Sequence, residues 1–174
     1  MKFESAVRSK RVLAGLGAVL GLTVSTLYGA TITWTNTSGG VWSSPLNWSP
    51  NIVPRGSDTV QITAAGTYTV TVDTNVAIQS LTLGGTSGAQ ILTNNTQTIG
   101  ITNSCLVGAN GILNLGGGTL SGGLLTLQGT FNWASGTVAG PLTIASGGVL
   151  NITGNVSLYN VLTNAGTVAM SGTA

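Results

Sequence analysis

Past residue 30 the chain holds two carboxylates, Asp58 and Asp73, one guanidinium, Arg55, and one thiol, Cys105; histidine is absent from all 174 residues. Two carboxylates on opposite sides of a glycosidic bond supply the acid and the base or nucleophile of a glycosidase. Asp58 and Asp73 could act so only if neighbouring strands brought them together. Their local sequence indicates turns instead. Asp58 follows Arg55-Gly56-Ser57 where a strand begins, and Asp73 precedes Thr74-Asn75 where one ends. Aspartates at such points accept hydrogen bonds from nearby backbone N–H groups. Cys105 has no second cysteine to pair with and no histidine to take its proton. Neither an intrachain disulfide nor a Cys–His nucleophile can form. A small buried apolar role is expected for it.

Zinc needs clustered Cys and His, and calcium needs several carboxylates; the sequence has neither cluster. Gly116-Gly117-Gly118 and Gly122-Gly123 are followed by no lysine and open no helix, so they make no phosphate loop. No catalytic residue, cofactor or metal ligand is therefore expected, and the exported part is read as non-enzymatic. The remaining candidates are Trp34, Trp42 and Trp48. Exposed indoles stack on sugar rings, which would make glycans or other cell-surface components the partner. Buried indoles would instead supply the bulk that closes the end of a coil. The sequence leaves both roles open.

Charge is concentrated at the start. Lys2, Arg8, Lys10, Arg11 and Glu4 lie in the first eleven residues, and no charged residue occurs from Thr74 to Ala174. Binding nucleic acid by phosphate neutralisation needs clustered Lys and Arg, so that class of partner is excluded for the rest of the chain. The basic start runs into an apolar stretch from Val12 to Val24. A transmembrane helix needs roughly 20 apolar residues, whereas the apolar part of a signal peptide needs roughly 7–15. Residues 1–30 are read as a signal peptide cut near Ala30, although Tyr28 is a poor residue three positions before the cut. An uncleaved membrane anchor is the alternative. No cysteine lies near the cleavage region, so a lipoprotein anchor is not expected. The protein is expected outside the cell or on its surface, with no membrane span once the leader is removed.

The elements that must carry these residues are strands. Thr equals Gly in number, at 27 each, and β-branched residues punctuated by Gly and Asn favour short strands joined by turns. Alternation of period two marks Thr31–Thr35, Thr59–Thr63 and Thr67–Asp73, each with one apolar face. The second half repeats in three phases. One runs Gly111-Ile112-Leu113-Asn114, Gly129-Thr130-Phe131-Asn132, Gly148-Val149-Leu150-Asn151 and Gly166-Thr167-Val168-Ala169. Another runs Gly118-Thr119-Leu120, Gly136-Thr137-Val138 and Gly154-Asn155-Val156, and a third runs Leu125-Thr126-Leu127, Leu142-Thr143-Ile144 and Leu162-Thr163. A fixed period of this length is the signature of a solenoid whose units bury their apolar faces only by stacking.

The fold class is therefore all-β, a parallel β-helix with 18–20 residues per turn. Asn114, Asn132 and Asn151 share one repeat position and would either form an amide ladder or serve turns. Residues 31–57 hold three of the four Trp and three of the four Pro, and are read as an N-terminal cap on repeats spanning 58–174. The sequence stops inside a repeat, at Met170-Ser171-Gly172-Thr173-Ala174. Truncation within a longer protein is expected, with end-to-end self-association through the uncovered turn near Thr163–Ala174.

The run Trp34-Thr35-Asn36, Gly40-Val41-Trp42, Asn47-Trp48-Ser49-Pro50-Asn51, Pro54, Asp58-Thr59-Val60-Gln61-Ile62, Thr69-Val70-Thr71-Val72-Asp73 and Ser80-Leu81-Thr82-Leu83-Gly84 carries a resemblance. It resembles the start of bacterial exported, adhesin-like proteins built of autotransporter-associated β-strand repeats. The resemblance covers residues 31–84 in motif and the whole chain in layout. It implies a right-handed parallel β-helix at the cell surface or in the medium, a structural or adhesive stalk without catalytic activity. An alternative is the N-terminal scaffold or carbohydrate-targeting region of a large secreted polysaccharide-degrading enzyme. The secretion barrel or sorting segment of such proteins is not found in these 174 residues.

Overall fold

The computed structural model of the protein describes residues 29–171. Of the leader expected over residues 1–30, all but Gly29 and Ala30 lies outside the described residues, as do the last three residues of the expected repeat region. The described chain is a β-solenoid of about five turns. It opens with β1 (Thr31–Trp34), β2 (Gly40–Val41), a short 3-10 turn at Pro45–Asn47 and β3 (Trp48–Ser49). The next strands are β4 (Thr59–Ile62), β5 (Tyr68–Val72), β6 (Val76–Leu83), β7 (Gln90–Asn94), β8 (Thr98–Val107), β9 (Gly111–Leu115) and β10 (Thr119–Leu127). The last are β11 (Thr130–Trp133), β12 (Gly136–Val138), β13 (Leu142–Ile144), β14 (Val149–Ile152), β15 (Val156–Leu158), β16 (Leu162–Asn164) and β17 (Thr167–Met170).

All of these strands but β3 stack in three parallel columns. β2, β5, β7, β9, β11, β14 and β17 make a seven-stranded sheet. The other two columns share a ten-stranded sheet, because β6, β8 and β10 each run through both with a break in register near Gln79 and Gly123. After β10 the two halves separate, into β12 and β15 on one column and β13 and β16 on the other. The three repeat phases of the sequence are these three columns. The strands of the inner coils alternate buried and outward residues, as in the pattern of β9 and β7, because successive side chains of a strand point to opposite faces.

The period expected from the sequence holds only in the second half. Ile112 pairs with Thr130, Thr130 with Val149, and Val149 with Thr167, steps of 18, 19 and 18 residues. Earlier turns are longer: Tyr68 pairs with Gln90 and Ser80 with Ser104, steps of 22 and 24 residues. The corner Gly84–Ala89 between β6 and β7 is much longer than the corner Gln128–Gly129 between β10 and β11. Tight corners need glycine where coils touch. A Cβ on Gly129 would stand 2.2 Å from the Gly108 carbonyl oxygen of the coil beneath.

The segment expected as a cap contributes more than a lid. β1 is already a rung, parallel to β4 with Thr31 opposite Thr59, and β2 is parallel to β5. The chain then folds back, and β3 lies antiparallel on the free edge of β1, pairing Thr33 with Ser49 and Trp34 with Trp48. No helix among the described residues is long and apolar enough to cross a membrane.

Candidate functional site

All three candidate indoles are inside. Trp34, Trp42 and Trp48 are 0%, 1% and 0% exposed, so none offers a ring face to a sugar in solution. They sit where β1, β2 and β3 converge at the N-terminal end. Trp48 packs edge-on to both others, with ring centroids 4.9 Å from Trp34 and 4.7 Å from Trp42, the arrangement that the ring quadrupole favours. The Trp48 Nε1–H donates to the Trp42 carbonyl at 2.7 Å and the Trp34 Nε1–H to the Asn36 carbonyl at 2.6 Å. Asn47, nearly buried, locks the segment: its Nδ2 donates to the Val41 carbonyl and its Oδ1 accepts from Asn36 Nδ2. Of the two roles open in the sequence, the structure gives these rings that of closing the coil.

The two carboxylates are both occupied by the chain. Asp58, at the entry to β4, accepts the Ala30 N–H at 2.9 Å and the Arg55 N–H at 2.8 Å, which ties the start of the first rung to the start of the second. Asp73, at the exit of β5, accepts the N–H and the hydroxyl of Ser43. Slight burial pushes the Asp73 carboxyl up, but the two bonds from Ser43, together with one from the backbone N–H of Asp73 itself, outweigh it and hold the group below its usual value. Asp58 adjoins the ten-stranded sheet and Asp73 the seven-stranded one, and they share no hydrogen-bond partner. The turn role read from the sequence holds for Asp58. For Asp73 the partner is a residue of the preceding coil, which local sequence could not reveal.

Cys105 is buried on β8, and burial pushes its thiol up to about 12. It lines a small apolar cavity with Ile101, Leu120, Leu125 and Val138, beside the register break of β8 and β10. A thiol that stays protonated there is neither a nucleophile nor a metal ligand at neutral pH. Among the described residues no three His, Cys, Asp or Glu side chains cluster as a metal site would require.

The outer face of the seven-stranded sheet holds the most regular polar feature. Asn114 Nδ2 donates to Thr93 Oγ1 at 3.3 Å, Asn132 Nδ2 to Asn114 Oδ1 at 2.8 Å, and Asn151 Nδ2 to Asn132 Oδ1 at 2.8 Å. These residues sit in mid-strand on β9, β11 and β14, in register, so the ladder reading holds and the turn reading does not. Two inward polar residues were not foreseen. Gln90 and Asn94, at the two ends of β7, are both 0% exposed. Gln90 Nε2 donates to the Gly66 and Ser87 carbonyls and its Oε1 accepts from the Gly85 N–H; Asn94 clasps Gln97 by Nδ2 to carbonyl and by N–H to Oδ1. The only sequence signal was parity, since both fall on the same face of β7 as the buried Leu92.

Comparison of the chain with protein-family models, with curated proteins and with solved structures gives no match.

Proposed function

We propose that this chain is a stiff, non-catalytic stalk of an exported bacterial cell-surface protein, structural or adhesive, of the kind built from autotransporter-associated β-strand repeats. The observation that carries the reading is the continuous stacking of parallel rungs from β1 to β17, with core and outer columns that run through it. A rod of this kind needs no reactive group. Its stiffness comes from backbone pairing between coils about 4.8 Å apart and from apolar stacking inside. Stacked coils would bring like charges within about 5 Å of one another, and columns of Thr, Asn, Ser and Gly escape that repulsion. The outward columns, rather than the buried indoles, are the side chains that a glycan or another surface would meet. The basic and apolar leader supports export.

Export is tested by fusing residues 1–30 to a reporter that is active only outside the cytoplasm. Reporter activity with a cut near Ala30 is expected, and a reporter held inactive in the cytoplasm overturns the exported reading. Stalk behaviour is tested by limited proteolysis of the full chain. A resistant core starting near Thr31 is expected, and rapid cleavage within 59–152 overturns the rod.

A further inference from the structure

The amide ladder belongs to a wider pattern on its sheet. From β7 to β14 the seven-stranded sheet runs in register, so its outward residues form two straight rows. Thr93, Asn114, Asn132 and Asn151 make one row. Ile91, Ile112, Thr130 and Val149 make the other. The ten-stranded sheet breaks such rows, because β6, β8 and β10 shift register near Gln79 and Gly123. An Asn side chain has two N–H donors and two acceptor lone pairs. Asn114 and Asn132 each spend one donor and one lone pair inside the ladder, which leaves one of each at every rung. Both side chains are half-buried, with the amide plane already fixed by its neighbours. The second row is β-branched, and such side chains are stiff at χ1. Little side-chain freedom is lost when a ligand settles on rows of this kind, which is the advantage of a preorganised surface.

We propose, as a deepening of the adhesive reading on which it rests, that this face is a track for one neutral, unbranched β-1,4-linked glycan chain lying along the solenoid axis. Such a chain is an extended ribbon with hydroxyls along its edges and C–H groups on its faces. It advances by close to one rung spacing, about 4.8 Å, per sugar. Its hydroxyls meet the spare donors and acceptors of the Asn row, and its C–H faces lie on the Ile and Val row. Charge selects this class of partner. No charged residue occurs from Thr74 to Ala174, and Asp73, just past β5, is occupied by Ser43. An acidic glycan would find no cation on the face to offset the desolvation of its carboxylates. Size excludes a second copy of the chain. Three rung spacings and two rows about 7 Å apart make a strip of roughly 200 Å², whereas a stable dimer buries about 800 Å² per partner.

The full chain is titrated with cellohexaose, chitohexaose and hexagalacturonate while the side-chain amide signals are followed by NMR. At least one of the two neutral hexasaccharides is expected to shift the Asn114, Asn132 and Asn151 signals saturably, and the acidic one is not. Those shifts need no variant, so they do not depend on how a variant folds. Asn132→Ala is expected to weaken binding about tenfold, the loss of one hydrogen bond. Ile112→Glu changes only an outward side chain and is expected to abolish binding, while Thr126→Glu, outward on the ten-stranded sheet, leaves it intact. No saturable shift with either neutral sugar, equal binding of hexagalacturonate, or binding that survives Ile112→Glu overturns the proposal. A printed glycan array separates this outcome from a failure of the adhesive reading. Array binding to other glycans that Ile112→Glu retains overturns the track and leaves the adhesive reading standing; an array without any signal contradicts both.

Discussion

Trp48 and Trp133 lie equally deep in the core, yet only Trp48 has a partner for its indole N–H. The Trp133 Nε1 is buried with no acceptor, while the ring stacks on Phe131 at 5.5 Å between centroids. Leaving a buried donor unpaired costs about 1–3 kcal/mol. Trp133→Phe keeps a stacked ring and removes that donor, so the melting temperature is expected to stay level or rise. Trp48→Ala removes a ring wedged between two others and is expected to cost about 3–5 kcal/mol. Thermal melts of the two variants by circular dichroism separate the cases. The Asp73 carboxyl and the Cys105 thiol give opposite pH responses. The Asp73 carboxyl is held below its ordinary 3.8, so its contribution is present above that value and is lost as pH falls through the lower folded one. Asp73→Asn is expected to flatten the acid limb of the stability curve without changing the alkaline limb. The Cys105 thiol is held protonated, from an ordinary 9.0 up to about 12. Stability it contributes is intact below pH 9 and declines from there towards 12. Cys105→Ala is expected to remove the part of the alkaline decline that sets in at pH 9, as read from urea midpoints between pH 8 and 10, and to leave the later part due to Tyr68, whose phenol burial also pushes up from its ordinary 10.0.

At the scale of elements, the register breaks and corners matter more than strand propensity. Gly122, in the break of β10, has φ +106° and lies against β8, where a Cβ would stand 1.9 Å from the Ile101 carbonyl oxygen. Gly122→Ala is therefore expected to lower stability by more than about 2 kcal/mol, since strain and clash add, with the loss read from urea midpoints. An unchanged midpoint would mean that the break does not hold these two coils in contact. The amide ladder is a milder test. Asn132→Ala breaks the bonds to Asn114 and Asn151 together and is expected to cost about 1–2 kcal/mol, in line with one or two net hydrogen bonds. Much of this organisation was legible in the sequence. Where corners are short, as at Gln128–Gly129, the coils have nearly equal length, and Gly111, Gly129, Gly148 and Gly166 repeat visibly. Where corners are long, as at Gly84–Ala89, the same columns exist but the period varies and hides them. Gln90 and Asn94 were not legible, because a polar residue in an alternating strand reads as outward until the corner carbonyls it must satisfy are known. The fate of Trp34, Trp42 and Trp48 also depended on a fold-back, β3 on β1, that no local pattern announces.

Across the whole molecule, the scarcity of charge and the length of the repeat describe one design. Past the leader the chain has three charged side chains, Arg55, Asp58 and Asp73, all within its first two coils. The coils after them are held by backbone pairing, apolar columns and neutral ladders, so their stability is expected to change little between low and high salt. A drop of several degrees in melting temperature at 1 M NaCl would show that ion pairs contribute after all. The central claim is that the rungs stack on one another as one continuous coil. It is tested most directly by pulsed electron–electron distance measurement between spin labels on one outer column, in a Cys105→Ala background diluted with unlabelled chain. Thr71→Cys and Asn151→Cys lie four rungs apart, and Thr71→Cys and Ala169→Cys lie five rungs apart. At about 4.8 Å per rung, the Cα separations are expected near 19 Å and 24 Å. Two narrow distributions that differ by about one rung agree with the stacked coil. Broad distributions, or separations that do not grow from the first pair to the second, would contradict it.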